Sequence, residues 1–188
     1  MVLLLAFALA AADPPGLAER IERRLADDPA LAARIRSAAE QGRRLQWMMG
    51  GWTLQHSVPG GGEPREGFAY IENTLSTAFV QIRNSYDGLP EELNFIGYDA
   101  AGDRWVSLRI DHDGGVNQLY ARRWEGDRIV FEGDVSLRGV AAHMRQTLEH
   151  FPPLPGSRWA SFTLTNEELV DGVWRPVDSW HYQGRPVN

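Results

Sequence analysis

Four residues of this chain, His56, Arg83, Arg109 and Asp111, combine a reactive or charged side chain with a place in an alternating apolar–polar run. An imidazole can hold a polar group of a ligand or move a proton near neutral pH. Two guanidinium groups and a carboxylate can orient a polar or anionic group, provided each finds a partner when buried. His143 and Arg145 share parity with Glu149, a pattern that surface ion pairing explains as well as catalysis does. Asp111-His112-Asp113-Gly114-Gly115 gathers oxygen and nitrogen ligand types, but Asp and Gly are ordinary turn formers. No Ser-centred elbow, HExxH pair or phosphate-cradling Gly loop occurs. The chain also lacks Cys, which removes thiolate catalysis, thiolate metal sites and disulfides. No metal and no cofactor is expected.

The elements that must position these residues are strands. From Trp52 onward the apolar residues recur with a period of two, between turns rich in Gly, Asp and Pro. The runs fall at about 52–58, 66–75, 78–86, 93–99, 104–111, 116–124, 128–136, 142–150, 158–165 and 174–182. Short turns at Asp99–Asp103, Glu125–Asp127 and Asp171–Gly172 supply Gly or Asp where a positive φ is needed. Hairpin-length links predict a meander, and about ten meandering strands predict a closed antiparallel barrel in a mainly β protein. On the first strand Trp52, Leu54, His56 and Val58 share one face, and the polar set Thr53, Gln55 and Ser57 shares the other. His56 is therefore expected inside. On the fifth strand Trp105, Ser107, Arg109 and Asp111 oppose Val106, Leu108 and Ile110; on the third, Gln81 and Arg83 oppose Val80 and Ile82. Periodicity alone leaves both phases open on these two strands.

Ahead of the strands, Leu17, Ile21 and Leu25 predict a helix with a docked apolar stripe. Asp28-Pro29 reads as an N-cap followed by Pro at the first helical position, opening a second helix toward Gly42 or Leu45. Residues 13–45 thus form a helical arm expected to cover the barrel or close one end, with the barrel over 46–188. Residues 1–12, MVLLLAFALAAA, are apolar and end in small residues, as a cleavable leader does; their length is short of a membrane span. A periplasmic or secreted protein follows, with no membrane span once the leader is removed. Every basic residue is Arg, and residues 45–188 carry a net charge of −7 against +2 for residues 17–44. An acidic barrel without a basic stripe excludes nucleic acid as the expected partner.

Gly50-Gly51-Trp52 at the entry to the first strand resembles the Gly-x-Trp signature of lipocalins and related calycin barrels. Ile96-Gly97-Tyr98-Asp99, Trp105 through Asp111, and Trp124-Glu125-Gly126-Asp127 follow in order. Together they resemble a family of bacterial, often exported, lipocalin-like domains. The resemblance implies a barrel with an internal cavity, Trp52 as a structural residue at the closed end, and the Trp105–Asp111 face inward. Arg109 stands where it implies an aromatic. The reading is an exported protein binding a small, partly apolar molecule in the barrel, with His56, Arg83, Arg109 and Asp111 as its polar contacts. An isomerase, cyclase or lyase using acid–base catalysis in the same cavity is the alternative. A haem-binding barrel is a lesser one, since His181 occupies the late-strand place of the iron ligand in nitrobindin-like barrels.

Overall fold

The computed structural model describes residues 16–74, 78–86, 89–112, 114–153, 155–156 and 159–184; the expected leader lies outside them. Two helices, α1 (Leu17–Asp27) and α2 (Pro29–Gly42), lead into a 3-10 helix over Arg43–Met48. Eleven strands follow: β1 (Gly50–Ser57), β2 (Arg65–Thr74), β3 (Phe79–Tyr86), β4 (Leu89–Asp99), β5 (Arg104–Asp111) and β6 (Val116–Ala121). The remainder are β7 (Trp124–Glu125), β8 (Arg128–Leu137), β9 (Val140–Phe151), β10 (Ala160–Val170) and β11 (Val173–Gly184). Ten of them make a closed antiparallel barrel: β1 pairs with β11, neighbours in sequence pair along both arms, and β6 meets β8 at Tyr120 and Glu132. The run expected at 116–124 is divided, because the chain leaves the wall after Ala121 and returns as the two-residue β7 beside β8.

Turn chemistry sets the register. Between β10 and β11, Asp171 and Gly172 both take positive φ (52° and 77°), as do Arg138 and Gly139 between β8 and β9 (51° and 84°). Two consecutive positive φ values give the turn whose twist matches that of paired strands. Val170 then pairs with Val173, and Leu137 with Val140; on β10–β11 a bulge at Asn166/Glu167 shifts the register once more, so that Asn166 pairs with Asp178.

The 3-10 helix closes one end of the barrel. Its Leu45 and Met48 are fully buried in the main core, and Trp52 donates from Nε1 to the Met48 carbonyl at 2.7 Å. Trp52 is 2 % exposed and meets the Phe162 ring edge-on at 5.0 Å. Its indole fits because β11 ends on glycine there: a Cβ on Gly184 would lie 2.9 Å from the Trp52 ring. Trp52 is thus buried in the core at the closed end of the barrel.

The arm behaves differently from its pattern. Asp28 caps α2 as expected, accepting from the Leu31 amide at 2.9 Å, and Arg34 Nε donates to the Ala100 carbonyl beside β4. α1, in contrast, buries no residue; Leu17 and Ile21 are 66 % and 50 % exposed. Its apolar stripe is not docked among the described residues.

Candidate functional site

Along almost every barrel strand the inward side chains change from apolar to polar in the direction away from the 3-10 helix. On β1 the sequence is Trp52, Leu54, His56; on β5 it is Trp105, Ser107, Arg109, Asp111. On β4 it is Ile96, Asn94, Glu92, and on β3 Val80, Ile82, Asn84. β11 runs from Tyr182 and Trp180 to Asp178, and β10 from Phe162 and Leu164 to Asn166. The period of two in each strand, together with the register, gathers these polar ends into a belt across the barrel.

The belt is hydrogen-bonded from wall to wall. Ser107 Oγ donates to Gln146 Oε1 at 2.6 Å, Gln146 Nε2 to Asn166 Oδ1 at 3.1 Å, and Asn166 Nδ2 to Asp178 Oδ1 at 2.8 Å. The other oxygen of Asp178 lies 3.7 Å from His56 Nε2 and 4.0 Å from an Arg109 nitrogen. Arg109 donates from Nε to Asp111 at 2.7 Å, reaches Glu92 at 3.2 Å, and holds its guanidinium carbon 4.9 Å from the centre of the Trp180 ring. Trp180 stacks on His56 at 4.7 Å and donates to the Tyr86 hydroxyl at 2.9 Å. Glu92 accepts from Asn94 Nδ2 at 2.6 Å.

These contacts set the charges. Burial pushes the Glu92 carboxyl up to about 7; Arg109 opposes that rise, while Asp111 and Asp178 add to it. Burial works against the Arg109 cation, but Glu92, Asp111 and Asp178 outweigh it and raise its pKa above the usual arginine value. The Tyr182 phenol, fully buried beneath the belt, is raised well above its ordinary value by burial.

Above the belt lies a cavity of about 270 Å³ whose walls include His56, Tyr86, Glu92, Arg109, Asn117 and Trp180. A smaller one, of about 110 Å³, continues below past Arg109, Asn117 and Leu137 to Gln146 and Asp178. Several polar atoms have no hydrogen-bond partner among the described residues: His56 Nε2, Asn94 Oδ1 and Asn117 Oδ1. Asn94 is fully buried and Asn117 is 8 % exposed, so bulk water does not supply the missing bonds.

No known family model and no curated protein matches this chain.

Three of the four expected site residues, His56, Arg109 and Asp111, meet at this cavity. Arg83 does not. It lies on the outer face of β3 with its side chain 47 % exposed, 3.5 Å from Glu72, because Val80, Ile82 and Asn84 take the inner face. His181 likewise points out, between inward Trp180 and Tyr182, so it offers the interior no iron ligand. His143 sits on the outer surface between Asp134 (2.7 Å) and Glu132 (2.9 Å), which raise its pKa. Glu92 and Asp178 were missed, as were the belt amides. The signal for Glu92 was its parity with Asn94 and Ile96, which continues the strand inward by one more residue pair. Among the described residues no group of three or more His, Asp or Glu could hold a metal ion, and no helix is long and apolar enough to cross a membrane.

Proposed function

We propose that this barrel binds a small polar molecule at its open end, in the cavity above the belt. The observation that carries the reading is the orphaned amide oxygen of Asn117, which lines the cavity, in a belt where the Gln146 and Asn166 amides are partnered. A buried acceptor without a donor costs on the order of 1–3 kcal/mol, which a bound donor recovers. Arg109, Asp111 and His56 orient the molecule, and Tyr86, Trp180 and Leu137 give it apolar contact. The apolar half of the barrel is filled by its own side chains, so the ligand's apolar part is small. Export and kinship with lipocalin-like domains belong to the same proposal; they rest on residues 1–12 and on Gly50-Gly51-Trp52.

A second reading, acid–base catalysis in the same cavity, is favoured by Glu92. A carboxyl poised at about 7 and facing a ligand cavity is half-ionised at the pH where it would work, so it can give or take a proton.

Native mass spectrometry of the protein purified from its own host tests the binding reading. The expected result is a small-molecule adduct that a Leu137→Trp variant, plugged at the cavity wall, does not carry. Recovery of bare chain, with a melting temperature indifferent to a small-molecule extract of the host, overturns it.

A further inference from the structure

We propose that the cavity's ligand is an organic cation, a protonated amine whose N–H groups meet the belt's carboxylates and the orphaned Asn117 amide oxygen. This rests on the binding reading and names the chemistry of the molecule bound.

Charge is the first argument. Three carboxylates, Glu92, Asp111 and Asp178, converge on one guanidinium, that of Arg109. Arg109 is thereby spent: its Nε is bonded to Asp111 and its terminal nitrogens face Glu92 and Asp178. An anionic ligand would meet no uncommitted cation at this depth and two carboxylates in excess. A cation would meet the reverse. At belt depth the remaining chargeable group is His56, whose Nε2 faces Asp178 at 3.7 Å; Arg65, Arg138 and His112 are exposed at the mouth, where water and salt screen them far more.

Hydrogen bonding is the second, independent argument. Asn117 is more than nine-tenths buried, lines both cavities, and has an amide oxygen with no donor. Asn94 Oδ1 is also without a donor, but Asn94 lies behind the cavity wall, its Nδ2 donating to Glu92. The Asn117 oxygen can only accept, His56 Nε2 accepts when its proton sits on Nδ1, and an ammonium group is all donor. A bare metal ion fits less well, since the described carboxylates nowhere close on one point as a ligand set.

Isothermal titration of the full chain at pH 8 with benzylammonium chloride, benzyl alcohol and sodium benzoate, at matched ionic strength, separates the possibilities. The three share a ring and differ in charge. Benzylammonium should bind about tenfold or more tighter than the alcohol, with benzoate weakest, the difference expected of charge-assisted hydrogen bonds. Glu92→Gln keeps the shape and removes the charge; it should weaken benzylammonium by roughly fivefold or more and leave the alcohol unchanged. Equal binding of amine and alcohol, or tightest binding by benzoate, overturns the cation and leaves the binding reading standing. Silence from all three at millimolar concentration, together with bare chain from the host, takes down both.

Discussion

The two halves of this barrel are built on the same ten strands and solve opposite problems. Toward the 3-10 helix, each strand delivers an aromatic or aliphatic side chain, and the space closes around Trp52, Phe162 and Leu54, all at most 2 % exposed. Toward the open end, the next inward residues on those strands are amides, carboxylates and a guanidinium, and a cavity of about 270 Å³ remains. The floor gains stability from burying apolar surface, which needs no direction. The mouth must satisfy each polar atom in a fixed direction, and it leaves some unsatisfied. Fold and function are thus separated along the strand axis, so that one end can vary in chemistry while the other holds the register.

Breaking the floor should have the largest effect. Trp52→Ala removes a buried indole and its bond to Met48, and should cost about 3–5 kcal/mol by chemical denaturation. A variant that unfolds like the wild type would abolish the contrast.

Arg109→Met tests the mouth with nearly equal force. Three carboxylates lose their shared cation, which should cost about 3 kcal/mol at pH 8. The loss should shrink as pH falls below 7, where Glu92 takes up its proton. A pH-independent loss would mean that Arg109 acts through packing on Trp180 alone.

Glu92 gives the mouth a pH signature that the floor lacks. Its folded pKa, about 7, lies above its usual 4.5, so the folded state holds the extra proton between those values. Stability is then greatest below about pH 4.5 for this group and declines as pH rises through 7, by roughly 3 kcal/mol in all. Glu92→Gln should flatten that slope and melt higher than wild type at pH 8. Parallel pH profiles for the two proteins would remove the belt's electrostatic frustration from the picture.

The smallest effect belongs to the outside. Arg83→Ala removes an exposed pair with Glu72, and should change stability by less than about 0.5 kcal/mol and ligand binding not at all. Arg83 and Arg109 share a residue type; the wall between them supplies the difference.

That difference also marks where sequence reading stopped. The strands, the turn at Asp171–Gly172, the cap at Asp28 and the phase of β1 were legible because an alternating pattern with a polar face has one sensible orientation. β3 and β5 each offered two. On β3 the apolar set, Val80 and Ile82, faces in, as burial alone would have it. On β5 the mixed set faces in, and Val106 on the opposite face is still only 5 % exposed. A wall covered on both sides hides the very contrast that periodicity depends on. Buried amides are silent for another reason: Asn84, Asn94 and Gln146 look in sequence like surface residues, and only register brings them together. α1 shows the converse, since its stripe promised burial that none of its residues reaches.

The closure of the ring at Tyr120 and Glu132 has a mechanical consequence. The other nine junctions are laced by ladders of many residues, whereas β6 and β8 share one bridging pair. Elsewhere, side-chain packing such as Leu119 running past Gly133 holds the joint. A ring so made resembles a clasped bracelet more than a tube. Parting it forfeits the fewest backbone bonds at the clasp, and the two edges that would separate carry Asn117 on one side and Leu137 on the other. The cavity wall and the shortest backbone ladder of the hoop are the same place.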